Sequence, residues 1–252
     1  MTGREAHITV QDLTMAYGDF VVMQNLTFEI KRADIFIIMG GSGCGKSTLM
    51  NILIGLKPPA KGKVLYGETD FWGADPQTRE RIIRRAGVTY QSGALWSSMT
   101  LAENIALPLE TYTNLLPDQI RQVVELKLAL VGLAGFEEFY PAEISGGMQK
   151  RAGIARAMAL DPEILFFDEP SAGLDPVSAR RLDDLILELN DSLGTTMVVV
   201  THELASIFAI GSNSVFLDAS KRTMTATGNP KQLLAETQDD DLRMFLTRGE
   251  KS

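Results

Sequence analysis

Gly40-Gly41-Ser42-Gly43-Cys44-Gly45-Lys46-Ser47, preceded by the apolar run Ile35-Phe36-Ile37-Ile38-Met39, is the stretch on which the fold turns. It fits the pattern G-x-x-x-x-G-K-[ST] in the context that pattern demands, with a strand before it and a helical pattern, Lys46 to Ile54, after it. Glycines there let the backbone wrap round a phosphate and aim its N–H groups inward. The helix starting near Lys46 adds its positive end. Gly40, Gly41, Ser42, Gly43, Cys44, Gly45 and Thr48 are therefore expected to cradle the phosphates of a nucleotide. Lys46 is expected to reach the β and γ phosphates, and Ser47 to ligate Mg²⁺. Gly55, with Pro58 and Pro59 beyond it, is a plausible end for the helix. Cys44 has two readings: a thiol made reactive by the helix N-terminus, or a small residue filling the loop.

Outward from this loop, three more segments read as core strands: Ala86-Gly87-Val88-Thr89-Tyr90, Ile164-Leu165-Phe166-Phe167 and Met197-Val198-Val199-Val200. The last two are unbroken apolar runs, as in strands buried on both faces of a parallel sheet. Helical patterns at Asp118–Val131, Gly147–Leu160 and Val177–Leu193 lie between or beside them, which implies βαβ units. The opening differs. Leu26-Thr27-Phe28-Glu29-Ile30 alternates apolar and polar residues, and Gly62 to Gly67 is a short strand between glycines. From about Ser92 to Ala152 the patterns are helical with no clear strand. Two short helical patterns follow Asn229, and Asp239-Asp240-Asp241 reads as a solvated helix start.

In an open α/β sheet, ligands sit beyond the carboxyl ends of the strands. Ile164–Phe167 ends at that rim in Asp168-Glu169. Asp168 is placed to hold Mg²⁺, and Glu169 to polarise the water attacking the γ-phosphate. Met197–Val200 leads to Thr201 and His202, one of only two histidines in the chain. A lone histidine is more often structural, but one at this rim is a candidate γ-phosphate contact that keeps Glu169 and the water in place. Ala86–Tyr90 leads to Gln91, a candidate fourth corner.

The chain has 252 residues and a net charge of −8, with 24 Lys+Arg against 32 Asp+Glu. Affinity for nucleic acid rests largely on Lys and Arg meeting phosphates, so broad nucleic-acid binding is not expected. A single cysteine excludes an intrachain disulfide and points to a reducing compartment. No apolar signal core opens the chain, and no run approaches the roughly 18 to 20 apolar residues of a membrane helix. Any action at a membrane therefore goes through a partner.

Ile144-Ser145-Gly146-Gly147-Met148-Gln149-Lys150-Arg151, upstream of Asp168, resembles the signature of the ATP-binding-cassette (ABC) ATPases, usually Leu-Ser-Gly-Gly-Gln. Ile144 and Met148 depart from that pattern, while the Ser-Gly-Gly core is intact. Ser145 can cap the helix that follows, and bare N–H groups at a helix start make an anion site. Ser171-Ala172-Gly173-Leu174-Asp175 is similar to the family's D-loop, Tyr17 to the aromatic that stacks on adenine, and Gln91 to the Q-loop glutamine that ligates the metal and senses the permease. Tyr17 by itself could equally be an ordinary strand tyrosine.

The resemblance implies an α/β fold: a P-loop NTPase (RecA-like) core with a mainly parallel sheet, an antiparallel β subdomain on the N-terminal side, and an inserted α-helical subdomain. Residues 1–91 and 153–252 would form the core and β subdomain, and 92–152 the helical subdomain with the signature. It also implies an ATPase using ATP and Mg²⁺. Each ATP would be clamped between the phosphate loop of one protomer and Ser145, Gly146, Gly147 and Asp175 of a second copy.

Gln91 to Thr100, Glu103 to Leu109 and the Met148 variant look like one subgroup, the ATPases of bacterial lipid transporters that work with mammalian-cell-entry (MCE) domain proteins. That likeness implies a homodimer on the cytoplasmic face of the bacterial inner membrane, bound to permease subunits. A periplasmic MCE-domain lipid-binding protein and a small regulatory subunit would accompany them. Some members carry a C-terminal extension reaching the other protomer; with Phe245-Leu246 so near the end, that contact is not expected here. Gly93-Ala94-Leu95-Trp96 is either an exposed permease contact or a stretch packed into the helical subdomain. Two alternatives remain: the motor of a lipoprotein or small-molecule exporter, which shares every catalytic residue and differs only in partner, and a non-transport ABC ATPase of translation or DNA repair. The latter typically carries two cassettes or a long coiled coil, neither of which is visible here.

Overall fold

The computed structural model describes residues 5–91 and 93–247. Met1 to Arg4, and Ser92 in the expected loop after Gln91, lie outside them. The first layer is an antiparallel sheet. Strands β1 (Ala6–Tyr17) and β2 (Phe20–Lys31) form a hairpin, and β4 (Lys61–Tyr66) with β5 (Thr69–Asp70) completes the order β2-β1-β4-β5. The alternation at Leu26–Ile30 has its expected cause: Leu26, Phe28 and Ile30 are buried, Thr27 and Glu29 exposed.

The second sheet has six strands, in the order β10-β9-β3-β8-β7-β6. Five run parallel: β3 (Ile35–Gly40), β6 (Ala86–Thr89), β7 (Ile164–Asp168), β8 (Thr196–Val200) and β9 (Asn213–Asp218). β10 (Thr223–Thr227) pairs antiparallel at the edge. β3 and β8 are buried at every position because both faces are covered. Phe36, Ile38, Phe166, Val198 and Val200 face the β1–β2 layer and helix α1 (Lys46–Leu53). Ile35, Ile37, Met39, Leu165, Phe167, Met197 and Val199 face helices on the other side. The period of two thus divides one sheet between two cores.

Those helices include α5 (Gly146–Ala157), α6 (Pro176–Leu193) and α7 (Leu204–Ile210). Helices α2 (Pro76–Ile83), α3 (Leu101–Tyr112) and α4 (Pro117–Leu130) precede them, and α8 (Pro230–Glu236) and α9 (Asp240–Leu246) close the described chain. Between 93 and 157 the described residues form α3, α4, a single 3-10 turn and α5, with no strand. α5 stops three residues short of the expected Leu160. Asp161, which precedes Pro162 and so disfavours helix, turns the chain at φ 49° into β7. α2, α3, α7, β5, β9 and β10 add to the elements read from the sequence.

Candidate nucleotide site

The carboxyl ends of β3, β6, β7 and β8 lie along one edge of the parallel sheet, so Gly40, Gln91, Asp168 and His202 meet at one rim, as expected. Gly40 leaves β3 at φ 154°, where a Cβ would come within 2.5 Å of the Leu217 carbonyl. Gly45, at φ 96°, would drive a Cβ into Val22 at 2.8 Å. Only glycine fits either place. Between them Gly41, Ser42 and Gly43 are exposed, and the first turn of α1 opens toward them. Cys44 is buried, and burial pushes its thiol up, which supports the packing reading over the reactive one.

Lys46 is 8% exposed, and its Nζ donates to the carbonyls of Gly40 at 2.9 Å and Gly41 at 3.0 Å. The ammonium therefore sits across the mouth of the loop. Ser47 hydrogen-bonds to Asp168, whose Oδ1 is buried with no hydrogen-bond partner. Burial, and then the charge of Glu169, raise the Asp168 carboxyl, against the opposing pull of Ser47 and Lys46. A hydroxyl beside an unsatisfied carboxylate oxygen is the hard donor set that Mg²⁺ takes, so these residues fit the ion.

Glu169 takes φ 48°, a left-handed backbone that L residues rarely adopt. Its N–H is held by the Val200 carbonyl at 2.8 Å. Its Oε1 lies 2.8 Å from His202 Nδ1, while its Oε2 is buried without a partner. The pairing of Glu169 with His202 is the arrangement read from the rim. Gln91 is exposed beside them and lines the same cavity, of about 1000 Å³, as Gly41–Gly43, Gly45–Thr48, Glu169 and His202. Tyr17 borders that cavity too, 55% exposed, with Lys57 Nζ 4.1 Å from its ring centroid and its hydroxyl 3.4 Å from Thr48 Oγ1.

The signature stands apart. Ser145 caps α5 by accepting from Met148 N–H at 3.3 Å, and Gly146 is exposed with open space above its Cα. Met148, where the family has glutamine, packs against the helix-side core. Ser145 and Gly147 line a different cavity, with Arg151 and Arg181, and no residue of 145–147 borders the one at the phosphate loop. Asp175 accepts from the Val177 and Ser178 N–H groups as the cap of α6.

Several lining residues escaped the sequence reading, Phe20 and Met244 among them. Phe20 pairs with Tyr17 across the β1–β2 turn, so both side chains share one face, and Phe20 is 60% exposed at the cavity. The two-residue turn Gly18-Asp19 was the signal for it. Met244 of α9 also lines the cavity, a tertiary placement that carries no local signal. The other acidic cluster, Asp218, Asp239 and Asp241, is filled by Lys221, whose Nζ lies 3.0, 3.0 and 3.1 Å from them. It ties α9 to the β9–β10 turn, so Asp239 does more than open a solvated helix.

The sequence pattern of the family described as ABC transporter matches residues 23–172, more than half of the chain. The intermembrane phospholipid transport system ATP-binding protein MlaF of Haemophilus influenzae is 38% identical over 94% of this chain and 88% of its own. The "Probable ribonucleotide transport ATP-binding protein mkl" of Mycobacterium leprae is 38% identical over 95% of this chain and 68% of its own. Among solved structures, the dimeric post-hydrolysis state of the ATP-binding cassette MJ0796 bound to ADP and Pi superposes with a TM-score of 0.78 at 29% identity, covering 88% of this chain and 98% of that one.

Proposed function

The chain belongs to the ABC transporter family as an ATP-hydrolysing subunit, and we propose that it is the motor of a phospholipid transporter, driven by closure of two copies on ATP. The observation that carries the two-copy reading is the separation of cavities. The phosphate loop, Glu169 and His202 share one, while Ser145 and Gly147 line another. A bare helix start with an open glycine is an anion site that its own chain leaves unused. A second copy turned to face the first brings it onto the γ-phosphate, with Asp175 at the seam. Residues 92–152 then act as a helical subdomain carrying the signature.

The chemistry follows from the side chains. Backbone N–H groups of 41–47 and the Lys46 ammonium stabilise charge on the β and γ phosphates. Glu169 Oε2 is free to orient a water, and His202 fixes the carboxylate by holding Oε1. Tyr17 offers a face for adenine. Ser47 and Asp168, with Gln91 beside them, would hold Mg²⁺, which would supply neutralisation of the phosphate charge.

No helix of the described residues is long and apolar enough to cross a membrane, and the transport reading assigns the passage of cargo to a separate permease. A groove of about 520 Å³ supports such a partner. It is lined by Ile83, Trp96, Leu107 and Tyr112, with Arg84 lying 4.9 Å over the Tyr112 ring. The two readings of 93–96 divide between neighbours: Trp96 is 58% exposed at this groove, and Leu95 packs against the core. Phospholipid as cargo is supported by the likeness to MlaF, which extends over most of both chains. The expected location is the cytoplasmic face of the inner membrane, with an MCE-domain protein and a small regulatory subunit in the assembly.

The test is to extract membranes of the native source in mild detergent, capture this chain in its complex and identify the proteins and lipids with it. A permease with an MCE-domain protein and phospholipid is the expected result. A permease with neither keeps the motor and removes the lipid, the outcome that the likeness to mkl would favour. No membrane partner overturns the transport reading.

A further inference from the structure

Lys150 lies in the first turns of α5, five residues past the Ser145 cap, and is half-buried. Its ammonium donates to the backbone carbonyl of Gln91 and lies 3.5 Å from that of Glu169. The rest of α5 grips the segment after Gln91 closely. Gly153 packs on Gly93 so tightly that a Cβ would come within 2.8 Å of the Gly93 carbonyl, and Arg156 Nη1 donates to the Ala94 carbonyl. The helix that starts at the signature and the segment carrying Gln91 are thus one packed unit.

Glu169 belongs to the other side of this junction, at the end of β7. Its left-handed backbone is held by its N–H to Val200, and by a carbonyl that accepts from Ala172 N–H at 3.1 Å and faces Lys150. The first two tethers come from the sheet and the adjoining turn. Lys150 alone among these tethers comes from the signature helix. Burial lowers its ammonium pKa, and the charge of Glu169 opposes that shift.

We infer that Lys150 is a positioning residue for hydrolysis, tying the signature helix to the backbone of Gln91 and of Glu169 so that the position of α5 sets the aim of the water-orienting carboxylate. The inference rests on the reading of Glu169 given above. It deepens that reading by naming how a signature engaged with nucleotide acts on a carboxylate of its own chain. A displacement of the helix pulls on a strained residue whose side chain must stay aligned to a fraction of an ångström.

The experiment compares Lys150→Met, Lys150→Arg and Glu169→Gln with the unchanged protein by ATP turnover, ATP affinity and thermal unfolding. Lys150→Met keeps the length and loses the charge. It is expected to lower kcat on the order of tenfold or more, with KM and ATP affinity within about twofold. Lys150→Arg is expected to recover most of the loss. A structural role alone would lower unfolding temperature and raise KM along with any fall in kcat. Should Lys150→Met fail to fold, Lys150→Gln is read in its place, since it stays polar but loses reach. Turnover near that of the unchanged protein, or a loss in which kcat and KM worsen together without rescue by arginine, overturns the inference. If Glu169→Gln is inactive while Lys150→Met is normal, only this inference falls. If Glu169→Gln turns over normally, the reading of Glu169 falls first.

Discussion

Glu169 gives its two carboxylate oxygens different work: one is fixed by His202, and the other is buried and unpartnered at the phosphate side of the sheet. Replacement by glutamine keeps the shape and the neighbours but removes the charge on which the proposed role, polarising the attacking water, depends. Glu169→Gln is therefore expected to bind ATP with unchanged affinity and to lose on the order of 10²-fold or more in turnover. Steady-state hydrolysis beside equilibrium binding checks both halves. Lys46 acts on the other term. Its ammonium is held at the loop by two carbonyls, and Lys46→Ala is expected to weaken ATP binding by roughly tenfold to a hundredfold, the range of one lost charged hydrogen bond. Titration with a fluorescent ATP analogue reads it. The phosphate loop was legible because its residues are contiguous and their spacing is the chemistry. The positions of Asp168 and His202 were legible because Asp168 directly follows a buried apolar run and His202 comes two residues after one. Lys150 was not, because its contacts are 59 and 19 positions away and lysine in a helix is ordinarily solvated.

Helices and strands were legible where their periodicity was clean. α1, α4 and α6 fall within one residue of the expected limits at each end, and α5 differs only where Asp161-Pro162 cuts it short. α3 was hidden by Pro108, whose missing N–H argues against a helix interior. Its anchor is Asn104, fully buried, which accepts from Trp96 N–H and donates to the carbonyls of Trp96, Met99 and Thr100. A polar residue serving a loop in this way leaves no apolar stripe to detect. β9 was missed because Asn213, Ser214 and Asp218 surround only three apolar residues. Between α6 and α7, Asp183 is 3% exposed, accepts from Ser206 Oγ at 2.9 Å and leaves Oδ1 unpartnered. Burial pushes its carboxyl from an ordinary 3.8 up to about 6. The folded chain thus holds this proton over a range where the unfolded chain has lost it. Stability from this group is full below about pH 4, declines as pH rises toward 6, and stays reduced above that. Asp183→Asn removes the charge while leaving an amide group at the unpartnered position. It is expected to raise stability at pH 7.5 by on the order of 2 kcal/mol, with the gain vanishing toward pH 4. Thermal unfolding across that range measures it, and a gain independent of pH would contradict the assignment.

At the scale of the whole molecule, one sheet separates two cores and ends in one rim, and the signature lies away from that rim. The order of the motifs made this arrangement legible, since strands feeding a common edge and a helical stretch between them can be placed from the sequence. The sequence reading missed the edge of the cavity formed by Phe20 and Met244, one brought by a hairpin whose two-residue turn was a signal for it and the other by a helix clasped through Lys221, a tertiary placement with no local signal. The account requires that the second half of each ATP site come from another copy, so ATP itself should make the dimer. The direct measurement is sedimentation of Glu169→Gln with Mg²⁺, with and without saturating ATP. A shift to twice the monomer mass with ATP, reversed by introducing Ser145→Arg at the helix start that the account places on the γ-phosphate, is the result predicted. A chain that binds ATP and stays monomeric at high concentration would contradict it.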